Sequence, residues 1–359
     1  MEPAQLPPLD SNDQIAPEQP TLDAQPSFLR RYRWVLTAGA FVVAIGVITT
    51  LLALNHGASN NNASSLAPAS SASKGASQTT QATNTNTWKG TIDPATIPLG
   101  DGHVSSTQQV GYIDSCTTNF RGGGARHSGS WINSSNNTWS SETKVAVEGS
   151  VNWPSADYVE ATSSGNRVLT TNDLPEVYPT GIFPISQSDP AYQYDTNPNH
   201  IGTQSLSYSL PLNPVAAASP GCLPLGPIGI LDDGVVLFDA LDDAGRDAVA
   251  HETQDLCNGH PNGQEMYHYH NVPSCIRDKA TVSSTLVGYA FDGYGIYIER
   301  DSKGNLPSNA DLDACHGRTS QVMWNGKLTD MYHYDATLEY PYTLGCFHAS
   351  DAVSQLHGW

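Results

Sequence analysis

From Trp88 onward, apolar residues recur in short alternating runs, such as Lys144-Val145-Ala146-Val147-Glu148, Arg167-Val168-Leu169 and Ser205-Leu206-Ser207-Tyr208-Ser209-Leu210. Clusters of Gly, Pro, Asn and Asp separate them. A period of two places alternate side chains on opposite faces of a strand, and such clusters supply the turns between strands. Long helical periodicity is nearly absent. The best helix candidate is Asp243–His251, opened by an acidic residue that suits an N-terminus. The pattern predicts a mainly β fold: an antiparallel sandwich or distorted barrel with one or two short helices.

The first ninety residues read differently. Residues 1–33 are rich in Pro, Gln and Asp, with little to bury, and predict a disordered cytoplasmic tail. Trp34–Leu54 then runs without a charge, long enough for a helix of about 31 Å to span a hydrocarbon core of about 30 Å. Arg30, Arg31 and Arg33 precede it. The long leader, the long apolar run and the lack of an Ala-x-Ala site favour an uncleaved signal anchor over a cleaved signal peptide. Basic residues before the span keep the N-terminus cytoplasmic, so the expected location is the cell membrane, with a single pass and an extracytoplasmic C-terminal domain. Residues 55–90, dominated by Asn, Ser, Ala and Thr, predict a flexible linker. Residues 91–359 form the expected folded domain.

Net charge changes the list of partners. With 35 Asp and Glu against 16 Lys and Arg, the chain carries −19. Nucleic-acid backbones are excluded as natural partners, and beyond the single anchoring helix an anionic lipid surface is disfavoured. The extracellular ligand or substrate is not specified by charge.

The C-terminal part contains one unit twice, over residues 226–275 and 287–346. Gly229-Ile-Leu-Asp-Asp233-Gly234-Val-Val-Leu-Phe238 is repeated as Gly288-Tyr-Ala-Phe-Asp292-Gly293-Tyr-Gly-Ile-Tyr297. Asp-Gly between apolar residues predicts a two-residue hairpin turn. Next come Cys257-Asn-Gly259 and Cys315-His-Gly317, then Met266-Tyr267-His268-Tyr269-His270 and Met331-Tyr332-His333-Tyr334-Asp335. Pro273 with Cys275, and Pro341 with Cys346, close the two copies. Matched features in the same order indicate duplication. They predict hairpins sharing a sheet and two histidine strands lying near each other. Symmetry pairs the six cysteines as Cys257–Cys275 and Cys315–Cys346, leaving Cys116–Cys222; cross-pairing between copies is the rival. No Cys-x-x-Cys is present, which argues against a zinc ribbon or a thioredoxin-like site.

These residues resemble the YHYH-domain family of mostly secreted or membrane-attached bacterial proteins. Tyr267-His268-Tyr269-His270 is its tetrad, preceded by Cys257-Asn-Gly-His260-Pro261. Also alike are Leu174-Pro175 with Thr180-Gly181-Ile-Phe183-Pro184, Asp189-Pro190-Ala191-Tyr192, Gly226-Pro227-Ile228-Gly229, and Tyr340-Pro341-Tyr342 with Gly345-Cys346-Phe347. The resemblance covers most of residues 100–348. It implies architecture and draws attention to the tetrad, and it implies no reaction. The second copy departs from the pattern, with Asp335 in place of the last histidine and Arg318 where His260 has its counterpart.

On a strand, His268 and His270 share one face, close enough to reach one small ion. The expected metal set is His260, His268, His270 and His333, with Asp335, His251 and Glu252 as possible additions. Imidazoles with a carboxylate suit zinc, copper, iron or manganese. Asp247 stands one helical turn before His251, a spacing that reads as an ordinary helix-end charge interaction. The opposing reading of the tetrad is a structural ladder of Tyr hydroxyls and imidazoles, which gives a recognition or adhesion module. A third is a metal-assisted hydrolase or oxidase on the same histidines, which requires an open coordination position. No Gly-x-Ser-x-Gly elbow or phosphate-binding glycine loop supports nucleophilic catalysis or nucleotide binding. No catalytic residue is assigned.

Overall fold

The computed structural model describes residues 87–349. The cytoplasmic tail, the apolar run 34–54 and most of the linker lie outside the described residues, as does His357. The chain divides into Met1–Ala76 and Ser77–Trp359, and every described residue belongs to the second unit. Among the described residues no helix is long and apolar enough to cross a membrane.

Both repeats build one eight-stranded sheet. Its order runs Gly259–Pro261, Tyr267–Tyr269, Val236–Phe238, Pro227–Leu231, Ser284–Ala290, Gly295–Glu299, Lys327–Asp335, Gly317–Trp324. Each half has the same plan. A largely buried hairpin lies inward, the tetrad strand pairs with it in parallel, and a further strand pairs antiparallel at the edge. The halves meet where Pro227–Leu231 runs antiparallel to Ser284–Ala290, with Gly229 opposite Ala290 and Leu231 opposite Gly288. Gly229 and Gly288 are equivalent residues of the two copies. A Cβ at Gly229 would lie 2.7 Å from the Tyr289 carbonyl oxygen, and one at Gly288 would lie 2.8 Å from Leu231 Cα. Only glycine lets the two backbones approach this closely.

The hairpins therefore share a sheet as expected, but the histidine strands do not lie together. Each is second from an opposite edge, five strand spacings or roughly 24 Å apart. The reason is the parallel pairing: a parallel partner needs a crossover connection, which carries each tetrad strand to the outside of its own hairpin. The central sheet is thus mixed rather than antiparallel, and none of the described sheets closes as a barrel. The hairpin turns also differ from the two-residue form. Leu231 N–H donates to Val235 and Gly234 N–H to Leu231, and Ala290, Tyr294 and Gly293 repeat the pattern. Only Gly234 and Gly293, not the preceding aspartates, take positive φ, at 89° and 92°. That is a three-residue loop ending in a left-handed glycine.

Smaller sheets cover this platform. Tyr158–Ser163, Asn166–Thr171 and Leu206–Pro211 form an antiparallel three-stranded sheet. It packs through Tyr208 stacked on Phe291 at 4.4 Å and through buried Arg167, whose guanidinium lies 4.0 Å from the Tyr289 ring centre. The result is sandwich-like. The expected helix Asp243–His251 shortens to Ala248–His251, because Asp242 Oδ1 accepts from Ala244 and Arg246 N–H and holds those residues in a turn. A second short helix is Ser274–Arg277. The disulfides are Cys116–Cys222, Cys257–Cys275 and Cys315–Cys346, the symmetric set.

Candidate functional site

The tetrad strand separates two kinds of chemistry on its two faces. On one face the tyrosines are structural. Tyr267 donates to Asp255 at 2.8 Å and Tyr269 to Asp233 at 2.9 Å. In the second copy Tyr332 donates to Asp313 at 3.1 Å and Tyr334 to Asp292 at 2.6 Å. Asp255 also accepts from the N–H groups of Cys257 and Gly259, and Asp313 accepts from Cys315 and Gly317. Each tyrosine thus ties its strand to a turn, and every hydroxyl buried here has an acceptor. The Asp-x-Cys-x-Gly pattern stands in both copies of the sequence and signals this role, which composition and turn rules alone pass over.

Burial pushes three of these carboxyls up, Asp233 to about 7 and Asp255 and Asp292 to about 6, despite the hydroxyls donating to them. A carboxyl raised in the folded state holds its proton where the unfolded chain has lost it. Its stabilisation is complete at low pH and is lost as pH rises towards the folded value. Buried His260 and His268 act oppositely, losing stability as pH falls through about 6.5. Between pH 8 and 6.5 these effects oppose one another, and burial of Lys144, lowered to about 7, adds a further loss as pH falls, so the carboxyl contribution is isolated by comparing the protein with its Asp233→Asn variant. With a chelator present, the unmutated protein is expected to gain about 1 kcal/mol of unfolding free energy relative to that variant over the interval. Calorimetry of both checks this; parallel pH profiles contradict it.

On the other face the histidines converge. His260 lies opposite His268 across the Gly259–Pro261 pairing, and His268 and His270 are two residues apart on one face. All three are buried. His268 Nδ1 is 3.2 Å from the Met266 carbonyl and His270 Nδ1 is 2.5 Å from that of Asp239. Donation to those carbonyls leaves the Nε2 lone pairs of His268 and His270 pointing inward, 3.2 Å apart. Glu252 Oε2 lies 3.3 Å from the Nε2 atoms of both His260 and His270. Ligands bound at about 2.0–2.1 Å in tetrahedral array stand roughly 3.3 Å from one another. The His268–His270 contact and the two contacts of Glu252 have that spacing, and the three imidazoles offer ligand atoms within 4.8 Å of one another.

Burial, then the neighbouring imidazoles, push His260 and His268 well down, so both are neutral at pH 7. For His270 burial acts downward too, but the Glu252 carboxylate beside it and then Asp239 together outweigh burial, and the net direction is up. Glu252 is itself raised by burial. Phe238 stacks on His268 at 4.0 Å. The group opens into a cleft of about 550 Å³ whose other walls include Asp195, Asn197, Asn199 and Asp242. Asn197 and Asn199 donate their amides to the Pro261 carbonyl, fixing the strand that carries His260.

The remaining expected residues fall elsewhere. His333 and Asp335 form a separate buried group with Glu299, so the second copy does not complete the first site. Strand order is the cause. His251 turns away, with Nε2 2.9 Å from Asp101 Oδ2. Asp247 does not pair with it; it caps the helix at Ala250 N–H and accepts from Tyr342. Glu252, the next residue, faces the cleft. His316 is buried against Thr337, at 3.0 Å, and is pushed down to about 3 by burial. His127 and His200 are exposed, and His103 stacks on Tyr112. Lys144 was not singled out by any motif. Its Nζ donates to Val249 O and Gln254 Oε1, and burial lowers it to about 7.

Residues 207–305 match the family model described as YHYH protein. The span includes both hairpins and the whole His260–His268–His270 group, and ends before the second tetrad. The chain carries a YHYH domain over these residues. No curated protein and no solved structure matches it.

Proposed function

We propose that this YHYH domain binds one transition metal ion through His260, His268 and His270, with Glu252 as fourth ligand or as the acid–base group beside the ion. One observation carries the reading: three buried imidazoles and a buried carboxylate converge at coordination spacing, with Nδ1 atoms of two imidazoles held by backbone carbonyls. A mixed nitrogen and oxygen set of this kind suits zinc, iron(II), manganese or copper(II). The tether reading places the domain outside the membrane, anchored by residues 34–54. The three disulfides support that compartment, since such bonds persist in oxidising surroundings.

The cleft favours a second reading, metal-assisted hydrolysis. A catalytic ion keeps one position for water or substrate, and a carboxylate close by takes the proton from that water. Three histidines as ligands, with Glu252 as base, fit this division of roles. The adhesion reading has less support, because the tetrad tyrosines are buried and their hydroxyls are engaged with aspartates.

The test is elemental analysis of the full chain purified without chelator, with added zinc or copper where the metal is lost on purification. The expected result is one ion per chain, lost in His268→Ala/His270→Ala with the circular dichroism spectrum retained. Glu252→Gln separates the two roles: a ligand role weakens metal affinity about 10-fold or more, whereas a base role leaves the ion bound and removes hydrolysis of an activated ester. Folded wild-type protein that takes up neither metal, with an unchanged melting temperature, overturns the proposal.

A further inference from the structure

The second copy repeats the architecture of the metal-binding face and changes its contents. Arg318 lies opposite His333 as His260 lies opposite His268. His333 Nδ1 sits 3.1 Å from the Met331 carbonyl, as His268 Nδ1 sits 3.2 Å from that of Met266. A hairpin aromatic covers each imidazole, Phe238 on His268 and Tyr297 edge-on to His333 at 5.1 Å. Glu299, His333 and Asp335 offer ligand atoms within 4.8 Å of one another, and all three are buried. Among the described residues Asp335 Oδ1 and His333 Nε2 have no hydrogen-bond partner, and they stand 3.8 Å apart. The Arg318 guanidinium bridges the two carboxylates, contacting Glu299 and donating from Nε to Asp335 Oδ2 at 2.8 Å. The Trp88 ring lies 4.8 Å from it.

We infer that Arg318 is a tethered cation standing where the first copy takes a metal ion, and that its removal opens a second divalent-cation site formed by Glu299, His333 and Asp335. Two buried carboxylates beside an imidazole require a positive charge, and either a guanidinium or a metal ion supplies it. The guanidinium is covalently held, so the second copy is closed whatever the metal supply. Its oxygen-rich set suits zinc, manganese or iron(II) once open. The comparison between copies rests on the metal reading of the first; the test is run with that first site removed.

The experiment titrates the full chain carrying His268→Ala/His270→Ala with cobalt(II) and zinc, alone and with Arg318→Ala, Arg318→His or Arg318→Lys added. The background variant and its Arg318→Lys form are expected to bind no ion. The Arg318→Ala form is expected to bind one, with the visible absorption of protein-bound cobalt and a melting temperature that zinc restores by several degrees. Arg318→His places the first copy's residue at the matching register and retains a buried side chain, so it decides the matter where Arg318→Ala does not fold. Folded Arg318→Ala or Arg318→His protein that binds neither ion overturns the inference. A metal-free wild type would count against the first site alone and leaves this arm's result standing.

Discussion

Gly288→Val is expected to abolish stable folding, with a loss of about 3 kcal/mol or more. Overpacking in a core costs roughly 1–3 kcal/mol where side chains move aside. Here the obstacle is backbone. A Cβ at Gly288 meets the Ile230 carbonyl oxygen and Leu231 Cα across the junction of the two repeats, and neither yields without opening the sheet at its centre. Every strand on either side registers on that pair, so the damage reaches the His260–His268–His270 group several strands away. Gly263→Ala is the control, since a Cβ there meets nothing within 4 Å. Urea denaturation of both variants checks the prediction. Equal midpoints would show that the junction is not the close approach described.

Removing Cys116–Cys222 is expected to cost about 4–5 kcal/mol, more than removing Cys257–Cys275 at about 3 kcal/mol. The first closes a separation of 106 residues and the second one of 18, and a longer loop restricts the unfolded chain more. The first also has a local role. Next to it, Cys116 N–H donates to Leu223 O and Leu223 N–H to Asp114 O, at 2.9 and 2.7 Å. The same segment continues to Leu225 and Gly226 in the cleft wall, and on the other side to Gly124. Paired Cys→Ser variants, compared in urea, give the ordering. A larger loss for the Cys257/Cys275 pair would show that native-state effects outweigh loop length.

These two predictions depend on different kinds of information. The disulfide pairing follows from the duplication, which is visible in the order of Asp-Gly, Cys-x-Gly, tetrad and closing Cys in each copy. The glycine junction was not legible in this way. Gly229 and Gly288 are matched in sequence, yet nothing local says that the two strands bearing them pair with each other.

The sequence by itself determined a β fold with an internal duplication, and it determined that His268 and His270 share a face with the tyrosines turned away. Strand alternation is a local property of the backbone, so these features needed no neighbours. Only the tertiary structure decided which strands are adjacent. The crossovers carry each tetrad strand to the outside of its own hairpin, which separates His333 from His268 and His270. The same packing brings Glu252 to the imidazoles while its neighbour His251 turns to Asp101. It also sets Arg318 between Glu299 and Asp335. Strand order, helix-end direction and charge pairing arise from burial summed over the whole chain, and a motif read along one strand does not contain them.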